Sequence, residues 1–260
     1  MSDTPQAPLG QPGDIINWPM LKMHYRTDPE AIAALLPPGI TAGKDPMVNL
    51  TVYNFPVPDF PEYGVVTTVN ADFNGVEGEY TLGYGIDQES AIFISQETNG
   101  QPKYPCEIEF HRLGPTVHAR CIHQGYTFLE FAGVSTGPVE PPPDFIQNEW
   151  WIKVSRAVSI GGPATGYDFP PHVVHVKSHY GTAWQESLEG ELVLRDSPWD
   201  PLASRLPMRE KPDCYLWWPT FLDRSIKLSA PLDPEGFLPF SDTISGSRWP
   251  GTMGGPLKSA

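Results

Sequence analysis

Residues 73–110 read FNGVEGEYTLGYGIDQESAIFISQETNGQPKYPCEIEF. Three short apolar runs, EYTLGYGI from Glu79, AIFIS from Ala91 and EIEFHRL from Glu107, alternate with Gly, Pro, Asn and Asp, the pattern of strands cut by turns. Between the second and third runs a single lysine, Lys103, sits in a Gly-Gln-Pro corner. A solvated lysine there needs no explanation. A lysine folded into an interior must be neutral or paired, because burial penalises the bare charge.

The same punctuation runs along the whole chain, which holds 31 prolines and 24 glycines in 260 residues. Further strands are predicted at MVNLTVYNF from Met47, TVHARCIH from Thr116, YTFLEFAGV from Tyr126, WWIKVSRAV from Trp150, HVVHVKSHY from His172, ELVLRD from Glu191 and CYLWWPTFL from Cys214. So many short strands point to a sandwich or a closed barrel. Helices are few. TDPEAIAALLPPG has Thr27 or Asp28 as cap, Pro29 in the first turn and Pro37-Pro38-Gly39 as stop, and SPWDPLASRL offers a second short helix. No linker or charge block divides the chain, so residues 1–260 read as one domain, with 1–14 and 249–260 as Pro/Gly-rich tails.

Composition narrows the partners. Hydrophobic residues make up 40% and aromatics 12%, enough for a core, and charged residues only 18%, so disorder is not expected. A formal charge of −14 repels phosphate backbones, which argues against nucleic acid and for a small molecule or another protein. Three widely spaced cysteines, Cys106, Cys121 and Cys214, fit a reduced compartment. The N-terminus lacks the basic and apolar regions of a signal peptide, and no apolar run approaches the ~20 residues of a membrane helix, so a cytoplasmic location is expected. His118 with His123 and His175 with His179 have the wrong strand spacing for a shared metal, and no metal or cofactor motif appears.

The 73–110 segment resembles the core of the acetoacetate decarboxylase family: a Phe-Asn-Gly-Val-x-Gly-acidic-Tyr strand, an apolar run, a glutamate, then Pro-Lys six residues after it. YRTDPEAIAALLPPGI is similar to that family's N-terminal Tyr-Arg-Thr-Asp segment, and SPWDPLASRLP to its late Asp-Pro-Leu segment. The resemblance implies a mainly β (α+β) fold, a closed antiparallel β-barrel with few peripheral helices, and a homo-oligomer. It also implies that Lys103 forms a Schiff base with a small keto acid, with no cofactor.

Several positions depart from the decarboxylase pattern. Tyr104 stands where a second lysine would follow the first, Gln96-Glu97 replaces an Arg-Glu pair, Trp18 falls near the place of an N-terminal arginine, and Thr51 stands for a strand glutamate. A second family glutamate maps onto Glu62. An amine attacks a carbonyl only when deprotonated, and with a reference pKa of ~10.4 fewer than one in ~1000 ordinary lysines are neutral at pH 7. An iminium is an electron sink that serves decarboxylation or, after loss of an α-proton, aldol condensation. The departures favour an aldolase-dehydratase-like lyase over acetoacetate decarboxylation, with a non-covalent cyclase or a non-catalytic ligand-binding barrel as the other readings. The expected catalytic residues are Lys103, Glu62 and Glu97, and the expected substrate contacts are Gln101, Tyr104, Trp18 and Thr51. Glu79 and Asp72 read as solvated or turn carboxylates.

Overall fold

The computed structural model describes residues 19–55, 61–158, 166–241 and 249–250. Among them are twelve strands: β1 (Met20–Arg26), β2 (Thr41–Ala42), β3 (Met47–Phe55), β4 (Glu62–Phe73), β5 (Val76–Ile86), β6 (Lys103–Pro105), β7 (Glu107–Leu113), β8 (Thr116–His123), β9 (Tyr126–Pro138), β10 (Phe145–Arg156), β11 (Tyr167–Leu194) and β12 (Asp213–Pro231). Three short α-helices join them, α1 (Pro29–Ala33), α2 (Glu89–Asn99) and α3 (Leu202–Arg205). The class is mainly β, as predicted. Helix α1 begins at Pro29 and α3 lies inside SPWDPLASRL, also as predicted.

Seven strands close into a ring. Neighbours in the order β10-β5-β4-β3-β1-β12-β11 are hydrogen-bonded, and β11 pairs back onto β10. The junctions are antiparallel except β5–β10, which runs parallel through Glu79–Glu149 and Tyr80–Trp150. Strand β11 is 28 residues long and serves two layers. Its first half pairs with β10, and its second half leaves the ring to pair with β9, followed by β8 and β7.

Period-two alternation sorts the ring strands into an outer and an inner face. On β1, Leu21, Met23 and Tyr25 are buried in the main apolar cluster; on β3 it is Val48, Leu50 and Val52, and on β12 Leu216 and Trp218. The same cluster takes in Val117, Cys121, Leu129 and Phe131 from β8 and β9, so the apolar core lies between the ring and the outer layer. Each such Leu or Val contributes about 1.5–3 kcal/mol through burial. The intervening residues, Lys22 on β1, Thr51 and Tyr53 on β3 and Trp217 on β12, turn to the ring's interior.

Two points differ from the sequence reading. AIFIS, predicted as a strand, lies in α2. The reason is topological: β6 pairs parallel to β5, and parallel neighbours need a crossover, normally a helix. Gly100 ends that helix in the left-handed region at φ 66°, its N–H donating to the Gln96 carbonyl at 2.9 Å. Strands β1 and β4 were not expected, because their inward residues are polar and break the apolar runs. Of the expected tails, residues 1–14 and 251–260 lie outside the described residues, while Trp249 is buried in the main cluster.

Candidate active site

The parallel return of β6 sets Lys103 beside Tyr84 and Tyr104 beside Gly85. Successive side chains point to opposite faces, so Lys103 enters the ring and Tyr104 leaves it. The corner is fixed from both sides: the Gln96 side-chain amide donates to the Lys103 carbonyl, and the Tyr84 N–H donates to the Pro102 carbonyl at 2.9 Å.

Inside the ring, Lys103 is 7% exposed and its Nζ donates to Glu62 Oε2 at 3.2 Å. Glu62 opens β4, and its other oxygen accepts the Tyr53 O–H at 2.8 Å. Burial, reinforced by the Glu62 charge, pushes the Tyr53 phenol well above its ordinary pKa and keeps it a donor. Lysine, carboxylate and phenol thus form one hydrogen-bonded row.

The row faces a cavity of about 290 Å³ reached by side chains from all seven ring strands. Among the described residues its wall carries three cations, Lys103, Lys22 and Arg224, and three carboxylates, Glu62, Glu79 and Glu149. Glu149 Oε1 accepts from Thr81, from Tyr84 O–H at 2.6 Å and from Trp151 Nε1–H at 2.6 Å. Glu79 accepts from Thr68 and from the Gln147 amide at 3.0 Å. Lys22 donates to Thr51 Oγ1 at 3.0 Å and stands 5.3 Å from the centre of the Trp217 ring. Burial lowers its pKa, opposed by the charges of Glu79 and Glu149. Arg224 lies 6.0 Å from the Phe221 ring centre and has no ion-pair partner among the described residues.

Of the residues expected from sequence, Lys103, Glu62, Gln101 and Thr51 converge on this cavity. Glu97 does not: α2 turns its side chain to solvent, and its carbonyl accepts from Lys153 Nζ at 2.8 Å. Tyr104 is buried on the opposite face, its ring 4.8 Å from that of His123 and lying over Gly85, whose missing Cβ makes room for it. Trp18 lies outside the described residues. Glu79, expected as a solvated or turn carboxylate, lines the cavity, whereas Asp72 does cap a turn by accepting the Gly75 N–H at 2.8 Å. Lys22, Tyr53, Tyr84, Glu149 and Arg224 were missed. Alternation on β1, with Lys22 and His24 between Leu21, Met23 and Tyr25, carried a signal for Lys22. Arg224 had none, because β12 is exposed on both faces there.

Residues 2–229 match the family model described as acetoacetate decarboxylase. The chain belongs to that family. A relative named acetoacetate decarboxylase, from Paraburkholderia phytofirmans, is 34% identical over 104 residues, 38% of this chain and 40% of the relative. The match thus spans well under half the length of that curated relative. Among solved structures, one from structural studies of acetoacetate decarboxylase superposes with a TM-score of 0.68 at 16% identity, covering 86% of this chain and 91% of the other. The enduracididine biosynthesis enzyme MppR, complexed with the condensation product of pyruvate and imidazole 4-carboxaldehyde, superposes with a TM-score of 0.57 at 16% identity, covering 84% and 90%. At these identities the structures speak for the acetoacetate decarboxylase fold alone. Enzymes of the acetoacetate decarboxylase superfamily are lyases, and no described helix of this chain is long and apolar enough to cross a membrane.

Proposed function

We propose that the protein is a carbon–carbon lyase or synthase that forms a Schiff base between Lys103 and a small keto acid and works through an enamine. The observation that carries this reading is the contact of Lys103 Nζ with Glu62 Oε2 inside the ring, 3.2 Å apart and backed by Tyr53. Glu62 takes the Nζ proton, the amine adds to the keto carbon, and the carbonyl oxygen leaves as water. The resulting iminium draws electrons from the α-carbon, and Glu62 is in place to accept the α-proton, giving the enamine. The enamine carbon then attacks an aldehyde, and water releases Lys103. Arg224 holds the keto-acid carboxylate.

The charged wall supports condensation over simple decarboxylation. Loss of carbon dioxide is favoured where the leaving carboxylate is poorly solvated, and three cations with three acids make a solvating wall. The MppR structure, in a complex named for a pyruvate–aldehyde condensation product, is consistent with this branch. The relative named acetoacetate decarboxylase favours the second reading, decarboxylation through the same Lys103 iminium.

The test is trapping. The protein is incubated with pyruvate or acetoacetate and reduced with borohydride, and the Lys103 peptide is examined by mass spectrometry. An adduct on that peptide, absent in Lys103→Met, is the expected result, and its absence with every keto acid tried sinks the covalent reading. Carbon dioxide release from acetoacetate, against aldehyde consumption with pyruvate, separates the two branches.

A further inference from the structure

A second hollow of about 430 Å³, within the size range of small-ligand sites, lies against the Lys103 cavity. The two share Lys22, Glu79, Gln147 and Trp217, so these four side chains form a common wall. Beyond that wall the character changes. The Lys103 chamber adds the aromatic side chains Tyr53, Tyr84, Trp151 and Tyr180 to its charges, whereas the second chamber presents His24, Asn70, Asn148, Gln185 and Tyr215, with Lys44 paired to Glu77 at 2.6 Å and Asp45 paired to Arg26 at 3.2 Å also on its lining.

Among the uncharged groups, His24, Tyr215 and Asn70 are held by hydrogen bonds. Burial, together with the Lys22 charge, holds His24 down at about 4, so its imidazole is uncharged at neutral pH. Its Nδ1 lies 2.6 Å from Asn49 Oδ1, an acceptor, which places the proton on Nδ1 and leaves Nε2 to accept the Tyr215 O–H at 3.0 Å. Asn49 in turn donates to Asn70 Oδ1 at 3.0 Å, which fixes the Asn70 amide at the chamber wall. With Lys44, Asp45 and Glu77 already ion-paired, the groups left to meet a ligand are the Asn70 amide and its uncharged polar neighbours, which suit a ligand with hydroxyl or amide groups.

We propose that this second chamber receives the electrophilic partner of the condensation, a small aldehyde bearing hydrogen-bonding groups, and that Lys22 meets its carbonyl oxygen at the common wall. The inference rests on the Schiff-base reading of Lys103. When the enamine carbon bonds to the aldehyde carbon, the carbonyl π pair moves to oxygen. That oxygen takes a proton from the Lys22 ammonium, Lys22 regains one from water, and the enamine nitrogen returns to the iminium that water hydrolyses. Geometry and environment suit Lys22 to this step. Among the described residues its Nζ touches a hydroxyl and an aromatic face but no carboxylate, and burial makes its ammonium a stronger acid than an ordinary lysine's.

The experiment uses the full chain with pyruvate as donor and glyceraldehyde as probe. Gln185→Leu raises the KM for glyceraldehyde at least tenfold with kcat little changed. Lys22→Met lowers kcat as well, and Gln185→Leu still traps pyruvate on Lys103 with borohydride at the wild-type level. Wild-type glyceraldehyde KM and kcat in both variants overturn the proposal, and so does loss of pyruvate trapping in Gln185→Leu, which marks a structural role. If the wild type traps no keto acid, the Schiff-base reading fails, and the chamber is judged by calorimetry of glyceraldehyde with Lys103→Met. Saturable binding abolished by Gln185→Leu upholds the chamber; no binding overturns it.

Discussion

Lys103 Nζ and Glu62 Oε2 meet at 3.2 Å although 41 residues separate them in the chain, and both side chains are nearly shielded from water. One comes from the corner after α2, the other from the first residue of β4, and they meet because β6 and β4 both pair with β5. Removing one member of a buried pair strands the other charge, at a cost of about 3–5 kcal/mol. Lys103→Met and Glu62→Gln therefore each lower the urea midpoint strongly. The double variant recovers part of the loss, with a coupling above about 1 kcal/mol. Additive losses across the cycle would show that the two groups are not energetically linked.

Stability falls in mild acid because of His24. Its pKa is about 4 in the folded chain against an ordinary 6.5, with burial the main cause. Between those values the unfolded chain takes up a proton that the folded chain refuses, so stability declines as pH falls from 6.5 towards 4. From pH 7 to pH 5 this one residue accounts for about 2 kcal/mol, at 1.36 kcal/mol per unit. His24→Gln shows a shallower decline by that amount in urea melts at the two pH values. His175, whose pKa is also lowered by burial, leaves a residual slope in the variant. Parallel curves for wild type and variant would contradict the assignment.

The fold was legible where strand alternation coincided with apolar runs, and the lysine corner was legible from its motif. β1 and β4 were hidden for a physical reason: their inward positions hold Lys22, His24, Glu62 and Thr68, which break the apolar pattern and read as loop. Inward polar residues are what a functional interior requires, so the strands hardest to read were those that build the site. Glu97 and Tyr104 were misplaced because a linear motif does not reveal the helical crossover or which face of β6 a residue occupies.

Burying the Lys22 charge costs stability. Its pKa is lowered by burial, so the cost is fully present below the folded pKa and is lost as pH rises from there to about 10.4, the ordinary lysine value. Lys22→Met, close in volume, raises the urea midpoint at pH 7. The gain shrinks as pH approaches the ordinary lysine range, where that cost is lost. A midpoint lowered by the substitution at pH 7 would mean that the bond to Thr51 and the stacking on Trp217 outweigh desolvation.

On the Schiff-base reading, Arg224 is placed to favour acids over neutral ketones. Its guanidinium lines the Lys103 cavity, and among the described residues no carboxylate engages it. A hydrogen bond to a charged group contributes about 1.5–3 kcal/mol, or about 10- to 100-fold in binding, with the low end expected because Arg224 itself is exposed. Arg224→Gln therefore raises the pyruvate concentration needed for half-maximal borohydride trapping on Lys103 by about tenfold, the low end of that range. Trapping of acetone, which has no carboxylate, stays at the wild-type level. Raising the salt concentration weakens pyruvate capture in the wild type and has little effect in the variant, because only the wild type has this charge to screen. Equal losses for pyruvate and acetone would place Arg224 in the support of the cavity rather than in contact with the acid.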